Sequence, residues 1–216
     1  AGFAVRYALM LLVLAALFLR SARDEPATRR YCATYAAGNA AGAALWLAAE
    51  AAPTPGRYGI WALAMAVLMT TPPLAGRATR ARVYDPEHIA ERYGLFTIIV
   101  LGEAIVAVTV GLDVIGLEPA TGATAVVGFL LAVAVWWLYF GSVRSSSLSH
   151  AGGTRLTGFA WGYGHLLVFG GIALGAVGVE LAIEAAHEHH GISGVGRACL
   201  AGGLGAYVRA VAAIHA

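Results

Sequence analysis

Seven stretches of this chain stay apolar for close to 20 residues each, and nothing else in the sequence limits the fold as much. They lie at about 3–19, 31–51, 58–75, 93–112, 121–140, 158–183 and 195–216. A hydrocarbon layer about 30 Å thick takes about 20 helical residues to cross. The stretches do not alternate polar with apolar, and an open sheet cannot satisfy its backbone in lipid. The expected fold is therefore all-α: a polytopic transmembrane helix bundle of about seven spans, in a single domain over residues 1–216. Composition agrees, with 59% hydrophobic and 12% charged residues. A soluble domain carries roughly twice that charge.

The arginines set an orientation. All 14 basic residues are Arg. Arg20, Arg23, Arg29 and Arg30 fall between the first two spans. Arg77, Arg80, Arg82 and Arg92 precede the fourth, and Arg144 and Arg155 separate the fifth from the sixth. The alternate connections hold only Arg57 and Arg197. The positive-inside rule then places the N-terminus outside and the C-terminus in the cytoplasm. Trp136, Trp137, Tyr139 and Phe140 beside Arg144 read as an inner aromatic belt. A net charge of +2 with no basic stripe gives no reason to expect a nucleic-acid partner. Cys32 and Cys199 fall near opposite ends of the bundle, so no disulfide is expected, and no zinc spacing occurs. "HEHH" at His187–His190 reads as a solvated loop, with a soft divalent metal as the sharper alternative. No nucleophile elbow, Walker loop or HExxH is present, so neither an enzyme nor a cofactor is expected.

The informative residues are the polar ones inside the spans. Glu103 lies in "ERYGLFTIIVLGEAIVAV", about ten residues from either end of the fourth span. A charge at that depth costs on the order of 2.5–3.5 kcal/mol on insertion scales. Glu103 is read either as a proton or cation site or as a neutral acid bonding two helices. His165, in the sixth span, differs from it in depth by only about 5 Å. The two meet if their helices are neighbours; otherwise His165 is a satisfied core histidine on a backbone carbonyl. Arg92 precedes Glu103 by eleven residues, three turns, and so shares its face. It either opens a polar track or snorkels to the headgroups. Arg209 sits near the depth of His165 and needs a partner, for which Glu103 is a candidate. His88, Glu91 and Arg92 share one face by spacing, as a cytoplasmic gate or simply a charged helix end capped through Asp85-Pro86. Arg6 and Glu50 are expected to form a structural ion pair near the outer ends of the first two spans, with Glu180 close by.

Small residues describe packing. Gly158/Gly162 and Gly171/Gly175 have small-xxx-small spacing. Asn39 reads as interhelical hydrogen-bond glue. Thr70-Thr71-Pro72-Pro73 is expected to break the third span.

The string "HIAERYGLFTIIVLGEAIVAV" resembles the signature of the bacterial low-temperature-requirement A (LtrA) family. "VWWLYF" and "GYGHLLVFGGIALGAVGVELAI" resemble its later helices. The matching positions are His88, Glu91, Arg92, Gly94, Phe96, Gly102, Glu103, Trp137, Tyr139, His165 and Glu180. Two departures stand out. An acidic "ELFFDLVFV"-like element of the family is missing, and Gly141 stands where the family pattern often has Asp. The resemblance implies a bacterial inner-membrane protein of about ten spans, linked by name to growth in the cold. The chain is then expected to be a C-terminal portion of that longer fold, as its start at Ala1, without Met and almost directly in an apolar run, also suggests. Two functional expectations stand. One is a transporter or channel for a small solute or ion, using Glu103 with His165 and with Arg92 or Arg209. The other is a non-transporting scaffold, sensor or stress-adaptation protein whose polar groups only lock the bundle; membrane lipids are expected partners in either case.

Overall fold

The computed structural model describes residues 2–78, 85–115, 118–142 and 155–215. Among them are seven long α-helices, one short 3-10 turn at Pro26–Thr28 and no strand. The helices are α1 (Gly2–Asp24), α2 (Arg29–Ala51), α3 (Gly56–Arg77), α4 (Pro86–Ile115), α5 (Pro119–Ser142), α6 (Arg155–His187) and α7 (Gly194–His215). Five of them, α1, α3, α5, α6 and α7, are long and apolar enough to cross a membrane. The helices gather into two bodies, Ala1–Val83 and Tyr84–Ala216.

In the first body α2 packs along both α1 and α3, joined to them by short turns. It must therefore run back across whatever they cross, although it is less apolar than they are. Glycine permits the close crossing. A Cβ on Gly38 would strike the Thr71 side chain, and one on Gly42 would lie 2.8 Å from Leu68. Phe3, Tyr7, Trp46, Trp61 and Tyr58 stack edge and face at one end. There Arg57, in the first turn of α3, donates to the carbonyls of Ala49 (3.0 Å) and Glu50 (3.3 Å). A cation thus meets the negative end of α2.

Two expectations are corrected in this body. α3 is not broken at Thr70–Pro73 but continues to Arg77. Pro72 and Pro73 cannot donate to the carbonyls of Leu68 and Met69, yet they lie close enough to the helix end for the chain to hold its course. The threonines bond one turn earlier, Thr70 to Ala66 (2.7 Å) and Thr71 to Val67 (2.8 Å). Asn39 is buried, but its amide donates to Tyr35 of its own helix (2.8 Å) rather than across to a neighbour.

In the second body α6 is central, lying against α4, α5 and α7. α6 and α7 meet backbone to backbone. A Cβ on Gly171 would lie 2.7 Å from the Gly203 carbonyl, and one on Gly178 would lie 2.5 Å from the Leu200 nitrogen. The buried core is Leu101, Val135, Tyr139, Val168, Ile172, Tyr207, Ala210 and Val211. α4 starts earlier than its apolar stretch because Asp85 caps it, accepting from the Glu87 amide (2.9 Å).

Candidate functional site

The chemistry of the second body collects along α4 and α6. At the start of α4, His88, Glu91 and Arg92 come together as their spacing requires. Arg92 Nε donates to His88 Nε2 (3.1 Å), and His88 Nδ1 faces a Glu91 oxygen at 3.7 Å. The three side chains are exposed. In this arrangement His88 Nε2 accepts and Nδ1 faces the acid.

One turn further in, the helices close on His165, which is completely buried. Its Nδ1 lies 2.9 Å from the Trp161 carbonyl, which can only accept, so Nδ1 carries the proton. Nε2 lies 3.0 Å from the Tyr139 hydroxyl, within hydrogen-bond distance. Thr97 also interacts with that hydroxyl and donates to the Tyr93 carbonyl at 2.8 Å. The ring is thus held at both nitrogens, by a carbonyl on one side and a hydroxyl on the other. Tyr93, Trp161 and Phe169 pack around the ring, with Trp161 4.2 Å away centroid to centroid. Tyr207 continues the polar seam by donating to the Val135 carbonyl at 2.6 Å. The Trp161 indole nitrogen is buried and has no acceptor among the described residues.

Glu103 is not part of this hub. α4 and α6 are neighbours, but Leu101, Ala104, Ile105 and Val108 line the space toward α5 and α6. At 3.6 residues per turn, Glu103 comes about half a turn round from them. It is exposed, in line with Phe96 (47% exposed), Ile99 (59%) and Val106 (53%). Arg92 is exposed on the same face, about 16 Å away along the axis. Among the described residues no hydrogen bond or ion pair with the Glu103 carboxylate is present. Arg209 is also exposed, on the side of α7 away from α6, where its guanidinium lies over Gly205. The His165–Glu103 and Arg209–Glu103 pairs considered from the sequence are thus not formed within this body.

The remaining positions are peripheral. In the first body Arg6 is exposed and Glu50 half-buried. Glu180 is exposed on α6. His189 and His190 face Glu118 and Glu188, each at 3.9 Å, and no cluster of metal-ligating side chains occurs among the described residues. Sequence reasoning placed Tyr139 in an interfacial belt with its neighbours. Trp136, Trp137 and Phe140 do point outward, whereas Tyr139 is 1% exposed and turned in. The available signal was helical phase: Tyr139 falls one turn after Val135 and about 160° from Trp137. Tyr207 and Thr97 gave no comparable signal, being single hydroxyls in apolar runs.

Seven helices of this apolarity, several of them able to cross a bilayer, define a polytopic integral membrane protein. The chain belongs to the family described as Bacterial low temperature requirement A protein (LtrA), whose model matches residues 1–216. It is 34% identical over 140 residues to the uncharacterized protein RA0937 of Rhizobium meliloti (strain 1021), covering 59% of this chain and 34% of that protein. The chain therefore spans about a third of that relative's length. No solved structure matches it.

Proposed function

We propose that the protein moves a small ion or solute across the bacterial inner membrane, with Glu103 as the carboxylate that takes a proton or cation. The observation that carries this reading is the position of Glu103: an acid near the middle of an apolar helix, on its uncovered face, between side chains more than half exposed. A carboxylate facing hydrocarbon alone is costly, and ionisable groups at this depth mark ion and proton pathways by default. The path then runs along the outer face of α4, with Arg92 at its cytoplasmic mouth. It does not pass His165, which is fully buried between the Trp161 carbonyl and the Tyr139 hydroxyl. In this reading His88 and Glu91 flank the mouth, and no covalent chemistry is involved.

The test is flux into proteoliposomes across a pH gradient, using the full-length protein. Wild type is expected to carry flux. Glu103→Gln, which keeps the shape and loses the charge, is expected to abolish it with an unchanged yield of monodisperse protein. Flux absent from the wild type, or undiminished in Glu103→Gln, overturns the reading in favour of a non-transporting scaffold.

A further inference from the structure

A cavity of about 300 Å³ lies inside the second body, walled by α4, α5, α6 and α7. Its floor is buried: Leu101, Val135, Ile172 and Tyr207. Its mouth opens between α4 and α5, where Ile105, Val126 and Phe129 are exposed. It is elongated along the helices. The wall runs from Gly122 to Val135 on α5, about 20 Å at 1.5 Å per residue, and from Leu101 to Thr109 on α4, about 12 Å.

The wall offers water few partners and no free hydroxyl proton. Its two hydroxyl side chains are already committed, Thr109 to the Val106 carbonyl (2.8 Å) and Tyr207 to the Val135 carbonyl (2.6 Å). A bound water needs two to four polar partners, and apolar cavities without them stay dry. An empty space of this size forfeits dispersion contacts along its whole lining. Its mouth is continuous with the apolar outer surface of α5, where Leu130 and Val127 are more than half exposed. In a bilayer that surface faces acyl chains.

We infer that this cleft is a lipid site: it takes one acyl chain of a membrane phospholipid, lying along the helix axes with its methylenes against Leu101, Ala132 and Val135. The inference is independent of any role for Glu103, which lies on the other side of α4. The chain enters sideways from the bilayer core, so affinity comes from chain packing and the headgroup stays at the interface.

The experiment uses the full-length protein in vesicles of phosphatidylcholine carrying a diazirine midway along one acyl chain. After photolysis, adducts are mapped by peptide mass spectrometry. Adducts on Ala104, Ala132 and Ala176 are expected to exceed those on the outward-facing Leu130 and Leu167 several-fold. Ala132→Phe, which fills the cleft, is expected to remove the excess and leave labelling at Leu130 and Leu167 unchanged. If Ala132→Phe is not recovered as a monodisperse protein, Ala176→Leu is read in the same way. Labelling of the wall no greater than that of the outer surface overturns the inference. So does an excess that survives in a folded filled variant, and so does a wall left unlabelled because other protein covers the mouth.

Discussion

Removing the Tyr139 hydroxyl and removing the Tyr207 hydroxyl should not cost the same. Tyr139 bonds His165 Nε2 in a fully buried site, so Tyr139→Phe takes a partner from a buried polar group, a loss of about 1–3 kcal/mol. Tyr207 donates to a carbonyl that its own helix already serves, so Tyr207→Phe loses a bond without orphaning an acceptor, about 0.5–1.5 kcal/mol. Thermal unfolding of both variants in detergent is expected to place Tyr139→Phe clearly below Tyr207→Phe. Equal midpoints would show that the His165 hub does not depend on that hydroxyl. The hub also marks where residue-level reading of the sequence stops. Glu103 and His165 stood out because charge and imidazole are rare in apolar runs. Which way each one points did not, because α4 is apolar nearly all round and periodicity alone names no packed face. The partners of His165 were hidden for a related reason: a tyrosine at a span end reads equally as a belt residue or an inward donor.

Helix ends follow capping chemistry, while the sequence reading followed hydrophobicity, and the two differ by several residues. α1 runs on through Arg20 and Arg23 to Asp24, and α4 begins at Pro86, well ahead of its apolar stretch. A helix that leaves the hydrocarbon keeps its backbone bonds until something replaces them. At the end of α6 the replacement is explicit. His190 N donates to Ala185 O (2.9 Å) and His189 N to Ala186 O (3.4 Å), with His189 at φ 54°. This is a Schellman motif with histidine where glycine is usual. His189→Gly should raise the unfolding midpoint, since a left-handed conformation costs a non-glycine residue about 1–2 kcal/mol. Its exposed contact with Glu118 at 3.9 Å is too weak to offset that gain. A lowered midpoint would mean that the imidazole itself holds the loop. The glycines of α6 were the most legible elements, since small residues at the spacing of a helix face imply close packing in lipid. The particular partners were not legible. Gly178→Ala puts a Cβ 2.5 Å from the Leu200 nitrogen, a backbone atom that cannot yield. A loss of about 1–3 kcal/mol is expected from such overpacking, read as a lower midpoint than that of Gly170→Ala, where a Cβ meets nothing within 4 Å.

At the scale of the whole molecule, the number of crossings and their direction rest on different physics. The number comes from packing. α2 lies between α1 and α3 with only short turns connecting them, and α4 packs along both α5 and α6. A helix of 23 residues is about 34 Å long and one of 30 about 45 Å, enough to cross in either case. Seven crossings fit, and the apolar pattern alone already implied them. Direction has no such geometric origin. It rests on where arginine accumulates, because the positive-inside bias acts during insertion and leaves no contact behind in the folded chain. A labelling experiment in intact cells decides it. Ala27 is exposed in the turn between α1 and α2, and Glu188 is exposed after α6. With Cys32 and Cys199 replaced by alanine, a single cysteine at position 188 should react with a membrane-impermeant maleimide added from outside. One at position 27 should react only after the membrane is opened. The converse pattern would invert the chain and move Arg92 to the outer mouth of the proposed path. Reaction of both from outside would remove one crossing, and with it the antiparallel fit of helices on which seven spans depend.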